Sequence, residues 1–233
     1  FLVLPAMAAA QAMIADTSGR KQPLTTWGIQ FEELEYRYSD DDEELGVWNA
    51  DAFYGTDDFK VRLLSAGEYE IEEQAYETLE HQLVGQIPVS RFFDAKAGVR
   101  FDTPEGPDRT YAVFGVTGLA PQWFEIDADL YLSDYSFFSF EAEYELLLTN
   151  RLILTPNIEI DMPLKDDIAR GRGAGGAVME IGARLSYDLI DRAVSPYIGV
   201  NYETSFGDTR DITRAAGGDT DELSVVIGTR LQF

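Results

Sequence analysis

Seven carboxylates fall at every second position of three predicted strands between residues 125 and 161. They are Glu125, Asp127, Asp129, Glu141, Glu143, Glu145 and Glu159. Successive side chains of a strand point to opposite faces, so this spacing gathers the acids of each strand on one face. Like charges directly opposite one another destabilise a strand pair unless something compensates them. We therefore predict that these residues form a surface that attracts or binds cations.

Two sources of compensation stay open at the level of the sequence. Arg100, Arg151 or Arg184 would pair with the acids in a structural network, since buried charges must be paired or hydrated. Alternatively, a bound or passing cation would neutralise them. The residue pattern alone does not choose between these two arrangements.

Other reactive chemistry is poorly represented in the chain. His81 is the single histidine, and it shares the parity of two leucines in its predicted strand, so we expect it to point outward. The chain has no cysteine and lacks the G-x-S-x-G and H-E-x-x-H motifs of hydrolases. We predict that the protein is not an enzyme.

Strands must hold these carboxylates, because apolar and polar residues alternate from Trp27 onward. Phe124, Ile126 and Leu130, for example, share the face opposite the acids of their strand. The same period recurs in about twelve segments of about 9–13 residues, which suits tilted strands that cross an apolar layer. The predicted spans are 27–38, 46–55, 58–67, 74–85, 91–102, 109–119, 123–133, 137–148, 151–162, 177–189, 195–205 and 221–233.

The connections and the aromatic residues favour a membrane barrel over a soluble sandwich. Short connections are predicted to alternate with longer ones at 39–45, 103–108, 163–176 and 206–220, which is typical of outer-membrane barrels. Aromatic residues lie near strand ends, where interfacial girdles belong. The last strand alternates and ends in Phe233. We predict an all-β fold, a single antiparallel up-and-down transmembrane β-barrel of about twelve strands.

The chain divides into three predicted parts. Residues 1–12 (FLVLPAMAAAQA) are predicted to be the remnant of a signal peptide, with a short amphipathic helix as the alternative. Residues 13–26 form a loose lead-in that is rich in turn residues, and residues 27–233 form the barrel. An even number of strands would place both termini on the periplasmic rim.

The charge of the chain excludes one class of partner. There are 18 basic and 42 acidic residues, for a net charge of -24. Binding to nucleic acid requires the opposite sign, so it is excluded as a function. The acidic excess has two interpretations: attraction of cations onto or into the barrel, or a solvated acidic surface.

Several segments together resemble the copper resistance protein B family of outer-membrane proteins. The similarity runs from about Trp27 to Phe233, and its most specific block is the stretch 109–160. The matching segments are Leu34-Glu35-Tyr36-Arg37, WNADAFYG (48–55), DAKAGVRFD (94–102), RTYAVFGVTGLAPQWFEIDADLYLSD (109–134), EAEYELLLTNRLILTPNIEI (141–160) and PYIGVNYETSFGDT (196–209).

The resemblance implies an outer-membrane barrel, copper tolerance and work alongside a periplasmic multicopper oxidase. Family members often carry a Met- and His-rich amino-terminal segment suited to copper, whereas residues 13–26 contain only Met13 and no histidine. The acids of the lumen are then the remaining candidate ligands. Their hard oxygen donors match Cu(II) better than Cu(I).

The sequence thus predicts an outer-membrane protein of copper resistance that binds or conducts copper ions through an acidic lumen. Its expected partners are outer-membrane lipid, copper ions and the multicopper oxidase, without an organic cofactor. One alternative is a passive structural barrel whose lumen is closed by salt bridges. Another is a soluble ligand-binding β-barrel.

Overall fold

The structure is a computed structural model, and it describes the chain from residue 23 to its end, with short gaps. The described ranges are 23–41, 43–104, 107–190 and 192–233. The predicted signal-peptide remnant (1–12) and most of the predicted lead-in (13–26) lie outside the described residues. Within the lead-in, residues 23–25 have no regular secondary structure, and Thr26 begins the first strand.

The described residues fold almost entirely into β-strands, with one α-helix. None of the helical segments among them is long and apolar enough to cross a membrane. The elements are β1 (Thr26–Ser39), β2 (Glu44–Gly55), β3 (Lys60–Glu70), β4 (Ala75–Pro88), β5 (Phe93–Pro104), β6 (Arg109–Leu119), β7 (Glu125–Leu132), β8 (Phe137–Glu143), β9 (Leu146–Leu147), β10 (Leu152–Pro163), β11 (Ala177–Tyr187), β12 (Val194–Phe206), α1 (Gly207–Ala216) and β13 (Asp221–Gln232).

The strands form one closed antiparallel barrel. Each strand pairs with its neighbours along the chain, and β1 also pairs with β13, which leaves no open sheet edge. β8 and β9 are two pieces of one strand, because both pair with β10 on either side of Tyr144 and Glu145. The barrel therefore has twelve strands, as predicted, although the span 137–148 is interrupted.

The outer face of the barrel is apolar, and the inner face is largely polar. On β12 and β13, Ile198, Val200, Val225 and Ile227 are between 50 and 61% exposed. Inward residues of the same strands, such as Asn201, are buried. A continuous exposed apolar surface of this kind is stable in lipid rather than in water. The prediction of which faces are apolar is confirmed.

Part of the interior is apolar, which the sequence analysis did not predict. An inner cluster of three aromatic rings and two valines packs between β4 and β8, with ring centroids 4.4–6.1 Å apart. Its members are Val84, Tyr111, Val113, Tyr131 and Phe137. The guanidinium of Arg100 lies 4.6 Å from the centroid of the Tyr131 ring, so the cluster also anchors a cation.

Two β-bulges change which residues face inward. In β1, Phe31 pairs with Ala50 and Glu33 with Asn49, so Glu32 is an extra residue. Both Glu32 and Glu33 consequently line the interior. A second bulge leaves Glu77 between the pairs of β3 and β4, although Glu77 has the same parity as Leu79 and Leu83.

The two rims of the barrel differ in their connections. The terminal rim, where β1 begins and β13 ends, carries only short turns. The opposite rim, here called the loop rim, carries the long connections 164–176 and 207–220, as predicted. The expected longer loops at 39–45 and 103–108 are wrong, because the flanking strands extend and reduce them to 40–43 and 105–108.

Candidate functional site

The barrel encloses two cavities that meet near its middle. The loop-side cavity has a volume of about 300 Å³, and the terminal-side cavity about 720 Å³. Four residues line both of them: Asn49, Leu64, Asp127 and Glu141. We call this shared level the junction. An ion that moved from one cavity to the other would pass these side chains.

A continuous line of inward carboxylates crosses the junction. Each member is the direct cross-strand partner of the next, on six successive strands of the barrel. This carboxylate row consists of Asp127, Glu141, Glu159, Glu180, Glu203 and Glu222. It leads from the junction toward the loop rim, where β13 begins.

Most members of the carboxylate row lack a counter-ion. Asp127 is paired with Lys96, and Glu180 has the guanidinium of Arg37 at 3.7 Å. The other four members have no cationic nitrogen within 4.0 Å among the described residues. Directly opposed like charges are destabilising, and water or mobile cations in the cavity must supply the missing compensation.

The structure divides the seven predicted site residues among three environments. Asp127, Glu141 and Glu159 belong to the carboxylate row. The other four lie elsewhere: Glu125, Glu143 and Glu145 line the terminal-side cavity, and Asp129 lies in the wall of the loop-side cavity. The prediction of a single surface was too simple, because the register of β7 and β8 spreads the acids along the barrel axis.

The acids of the terminal-side cavity face arginines. Arg230 lies 3.4 Å from Glu143 and 3.6 Å from Glu145, and Arg192 lies 2.9 Å from Glu145. Glu125 is the direct cross-strand partner of Glu143. This end of the lumen therefore has a mixture of charges, unlike the carboxylate row.

Asp129 is held against the wall rather than aimed into the lumen. Its Oδ2 accepts a hydrogen bond from the Tyr131 hydroxyl at 2.9 Å and lies 2.8 Å from the Lys96 ammonium. Its partner residue in β6 is Gly115, where a Cβ would lie only 1.7 Å from Oδ1. A larger residue at this position would displace the carboxylate, so glycine gives it room.

The most buried ion pairs join β1 to β11. The carboxylate of Glu35, whose side chain is 0% exposed, accepts hydrogen bonds from Arg37 at 2.8 Å, from the Tyr197 hydroxyl at 2.9 Å and from Arg184. Arg184 also lies 2.6 Å from Glu33. Each charge in this group has at least two partners, which is what a buried charge requires.

The arginines that the sequence analysis named as compensation pair with other acids. Arg100 contacts Glu80 and Asp102, and Arg184 contacts the β1 glutamates. Arg151 is exposed in the turn before β10. Four of the seven predicted acids are paired instead with a lysine and two arginines: Asp127 and Asp129 with Lys96, Glu143 with Arg230, and Glu145 with Arg192 and Arg230.

The connection 164–176 is fastened across the loop rim by three arginines. Arg109 donates to both oxygens of Asp167 at 2.9 Å, Arg170 lies 3.4 Å from Asp102, and Arg172 lies 3.5 Å from Asp161. On its other side, Thr209 of α1 contacts the backbone of Gly173. The loop-side cavity is therefore partly covered.

Sequence reasoning missed several acids of the lumen as site residues. Glu180 and Glu203 were not among the predicted site residues, because only the strand register brings them into line with Glu159. Glu32 faces inward only because of the bulge in β1. Period-two alternation was the available signal for the first two, whereas the bulge has no comparable signal in the sequence.

The metal-binding potential of the lumen is diffuse. Among the described residues, no group of three or more His, Cys, Asp or Glu side chains has the geometry to hold a metal ion. His81 is exposed on the outer face, as expected from its parity. The described residues of the lumen thus present separate oxygen donors rather than a preformed cage.

These features define an outer-membrane β-barrel with a polar lumen. A solved structure of the NanC porin has the same architecture, with a TM-score of 0.56 at 11% sequence identity, covering 88% of this chain and 99% of that one. At this level of identity the likeness concerns the fold alone.

The sequence comparisons identify the family. The profile described as Copper resistance protein B precursor (CopB) matches residues 25–233. The chain is 34% identical over 207 residues to Copper resistance protein B of Escherichia coli, covering 88% of this chain and 69% of that protein. It is 34% identical over 204 residues to the Copper resistance protein B homolog of Pseudomonas syringae pv. tomato (strain ATCC BAA-871 / DC3000), covering 87% and 68%. The chain belongs to the copper resistance protein B family.

Proposed function

We propose that this barrel admits copper ions into its acidic lumen and lets them bind weakly or pass along the carboxylate row. Copper is the cargo in this proposal, not a resident cofactor. The observation that carries the proposal is the cross-strand alignment of six carboxylates, of which only Asp127 and Glu180 have a cationic nitrogen within 4.0 Å in the part of the chain that the structure describes.

The arrangement favours transient occupancy over tight binding. Passage requires sites that attract an ion but also release it. Single carboxylates at successive positions supply hard oxygen donors suited to Cu(II), and the surplus negative charge raises the local concentration of cations. The lumen thus offers several weak positions in series.

A double variant that removes two unpaired acids tests the proposal. In Glu141→Gln/Glu159→Gln the shape of the lumen is nearly kept while two charges of the carboxylate row are lost. We expect the cation preference of the conductance in planar bilayers to fall by about fivefold or more. Calorimetric titration with Cu(II) should show weaker binding in parallel.

A matched control removes two acids outside the lumen. Asp57 and Asp58 are exposed in the turn between β2 and β3, so Asp57→Asn/Asp58→Asn changes the net charge equally. We expect this variant to behave like the wild type. An equal loss of cation preference in both variants would show that total charge, and not the carboxylate row, controls the ion current.

A closed structural barrel is the second candidate. The buried ion pairs of Glu35, Arg37 and Arg184 support it, because they fill the lumen between β1 and β11. This candidate predicts that the wild type passes no measurable current and that its titration with Cu(II) gives no heat of binding. The bilayer experiment therefore separates the two candidates directly.

We also propose that the terminal rim faces the periplasm, where a multicopper oxidase would receive or deliver the copper. The chain has no cysteine, so single cysteines report orientation cleanly. Asp57→Cys marks the terminal rim and Asp219→Cys the loop rim, and both positions are exposed. On intact cells, a membrane-impermeant maleimide should label only Asp219→Cys; labelling of Asp57→Cys alone would reverse the orientation.

A further inference from the structure

We propose that the ammonium of Lys96 is a tethered counter-ion that sets how strongly the junction holds a mobile cation. The inference rests on the proposed function, because it names a residue that tunes the same path. It concerns any small cation that enters the lumen, with Cu(II) and K⁺ as the probes.

Lys96 already occupies the position that a mobile cation would take. Its ammonium lies 2.6 and 2.7 Å from the two oxygens of Asp127 and 2.8 Å from Asp129. The side chain is only 2% exposed, so its aliphatic stem is packed against the barrel wall at β5. An ammonium is a compact point charge, and this one makes the contacts with carboxylate oxygens that a free cation would make.

The location of this pair gives it control over the path. Asp127 lines both cavities and begins the carboxylate row. While Lys96 neutralises Asp127, Glu141 is the one of the two junction acids that has no ion pair among the described residues. The tethered ammonium thus lowers the attraction at the point where the two cavities meet.

Asp129, the second acid that Lys96 contacts, is only partly satisfied by hydrogen bonds. Its Oδ1 is buried and has no hydrogen-bond partner among the described residues, although the residue is only 5% exposed. Lys96 satisfies one oxygen of this carboxylate and leaves the other. A cation that displaced the ammonium would find two carboxylates already placed close together.

Lys96 differs from the arginines Arg37 and Arg184 in the acids that it contacts. Arg37 contacts four acids and Arg184 two through planar guanidinium groups, and both arginines contact the fully buried Glu35. Their removal would disturb the barrel itself. Neither acid bound by Lys96 is fully buried, and Asp127 lines both cavities, so water or a mobile cation can compensate Asp127 when the charge of Lys96 is removed.

The variant Lys96→Met removes the charge and keeps most of the stem. We expect the permeability ratio of K⁺ over Cl⁻, from reversal potentials in planar bilayers, to rise by about fivefold or more. The concentration of Cu(II) that halves the K⁺ current should fall by a similar factor. Lys96→Arg keeps the charge and should resemble the wild type in both measurements.

A compensated variant guards against misfolding. In Lys96→Met/Asp129→Asn the net charge of the group equals that of the wild type, but Asp127 is free. We expect Cu(II) to block this variant at a lower concentration than the wild type, because the tether and not the net charge is the cause. Folding is checked by the heat-dependent shift of the barrel on electrophoresis.

The outcomes separate the inference from the function on which it rests. If the wild type is cation-selective but both methionine variants match it in selectivity and in Cu(II) block, the inference is wrong and the proposed function stands. If the wild type and all variants pass no current, the proposed function fails and the inference fails with it. A rise in cation selectivity or in block by Cu(II) that is confined to the methionine variants supports both the inference and the proposed function.

Discussion

The two walls of the lumen treat charge in opposite ways. On β1–β5, inward cations and acids are mixed, and Arg37, Arg62 and Arg100 each lie against a carboxylate of the same wall. On β7–β13 the carboxylate row runs from strand to strand with little compensation. We call these the mixed wall and the acidic wall.

Residue type alone therefore does not decide the role of a buried acid. Glu35 and Glu159 are both inward glutamates near the middle of a strand. Glu35 accepts hydrogen bonds from two arginines and a tyrosine, whereas Glu159 faces Glu141 on one side and Glu180 on the other. The first is paired within the barrel, whereas the second has no cationic partner among the described residues and is, in our proposal, a position for a visiting ion.

The largest expected effect comes from breaking the mixed wall. Glu35→Gln leaves Arg37 and Arg184 without their shared anion, and removing one partner of a buried ion pair costs about 3–5 kcal/mol. We expect the free energy of unfolding, measured with urea in lipid vesicles, to fall by about 3 kcal/mol. The same substitution on the acidic wall, Glu159→Gln, should leave it unchanged or raise it. Equal losses of unfolding free energy in the two variants would show that the two walls do not differ.

A smaller effect is expected where the connection 164–176 is fastened to β6 at the loop rim. Asp167→Asn weakens the bidentate pair with Arg109, and a hydrogen bond to a charged group contributes about 1.5–3 kcal/mol. We expect the barrel to lose about 1.5 kcal/mol of unfolding free energy and the connection 164–176 to become cleavable by protease. Asp166→Asn is the neighbouring control, and protection of 164–176 in both variants would contradict the fastening role.

High salt should change the free energy of unfolding by a still smaller amount, through the acidic wall. Opposed carboxylates cost about 0.2–1 kcal/mol per pair, and about 1 M salt screens charges beyond about 3 Å. We expect the wild type to gain about 0.5 kcal/mol of unfolding free energy in high salt. Glu141→Gln/Glu159→Gln should gain less, because its repulsion is already relieved. An equal gain of unfolding free energy in the wild type and in the variant would show that the salt-sensitive repulsion lies outside the carboxylate row.

The smallest effect is expected outside both walls. His81 is exposed on the outer face, away from the carboxylate row. We expect His81→Gln to leave the affinity for Cu(II), measured by calorimetry, within about twofold of the wild type, since an outward imidazole cannot reach the lumen. A larger loss would move the metal chemistry from the lumen to the outer face.

Much of the fold follows from the sequence because period two has a direct physical cause. Alternation placed Phe124 outside and Asp127 inside, and it gave the number of strands. It did not predict α1, although Gly217 adopts the left-handed conformation that ends a helix there. It also predicted two long loops where β1, β2 and β5 continue to the rim.

The site was less predictable, because it depends on pairing between strands. The sequence shows which acids share a face, but only the register aligns Glu159 with Glu180 and Glu203. The partners of the acids are even less visible: Lys96 is separated from Asp127 by 31 positions. Long-range ion pairs of this kind carry no local pattern that a single sequence reveals.

The extra residue in β1 makes Glu32 the position of this strand where a deletion is best tolerated. The side chains before Glu32 and those after it are in different phases, and both phases present polar groups to the interior. Phe31 and Glu33 already pair with the adjacent residues Ala50 and Asn49, so loss of Glu32 would close the bulge and leave Ile29 outside and Gln30 inside. A deletion of three nucleotides at this codon would therefore shorten the strand by one residue without turning it inside out.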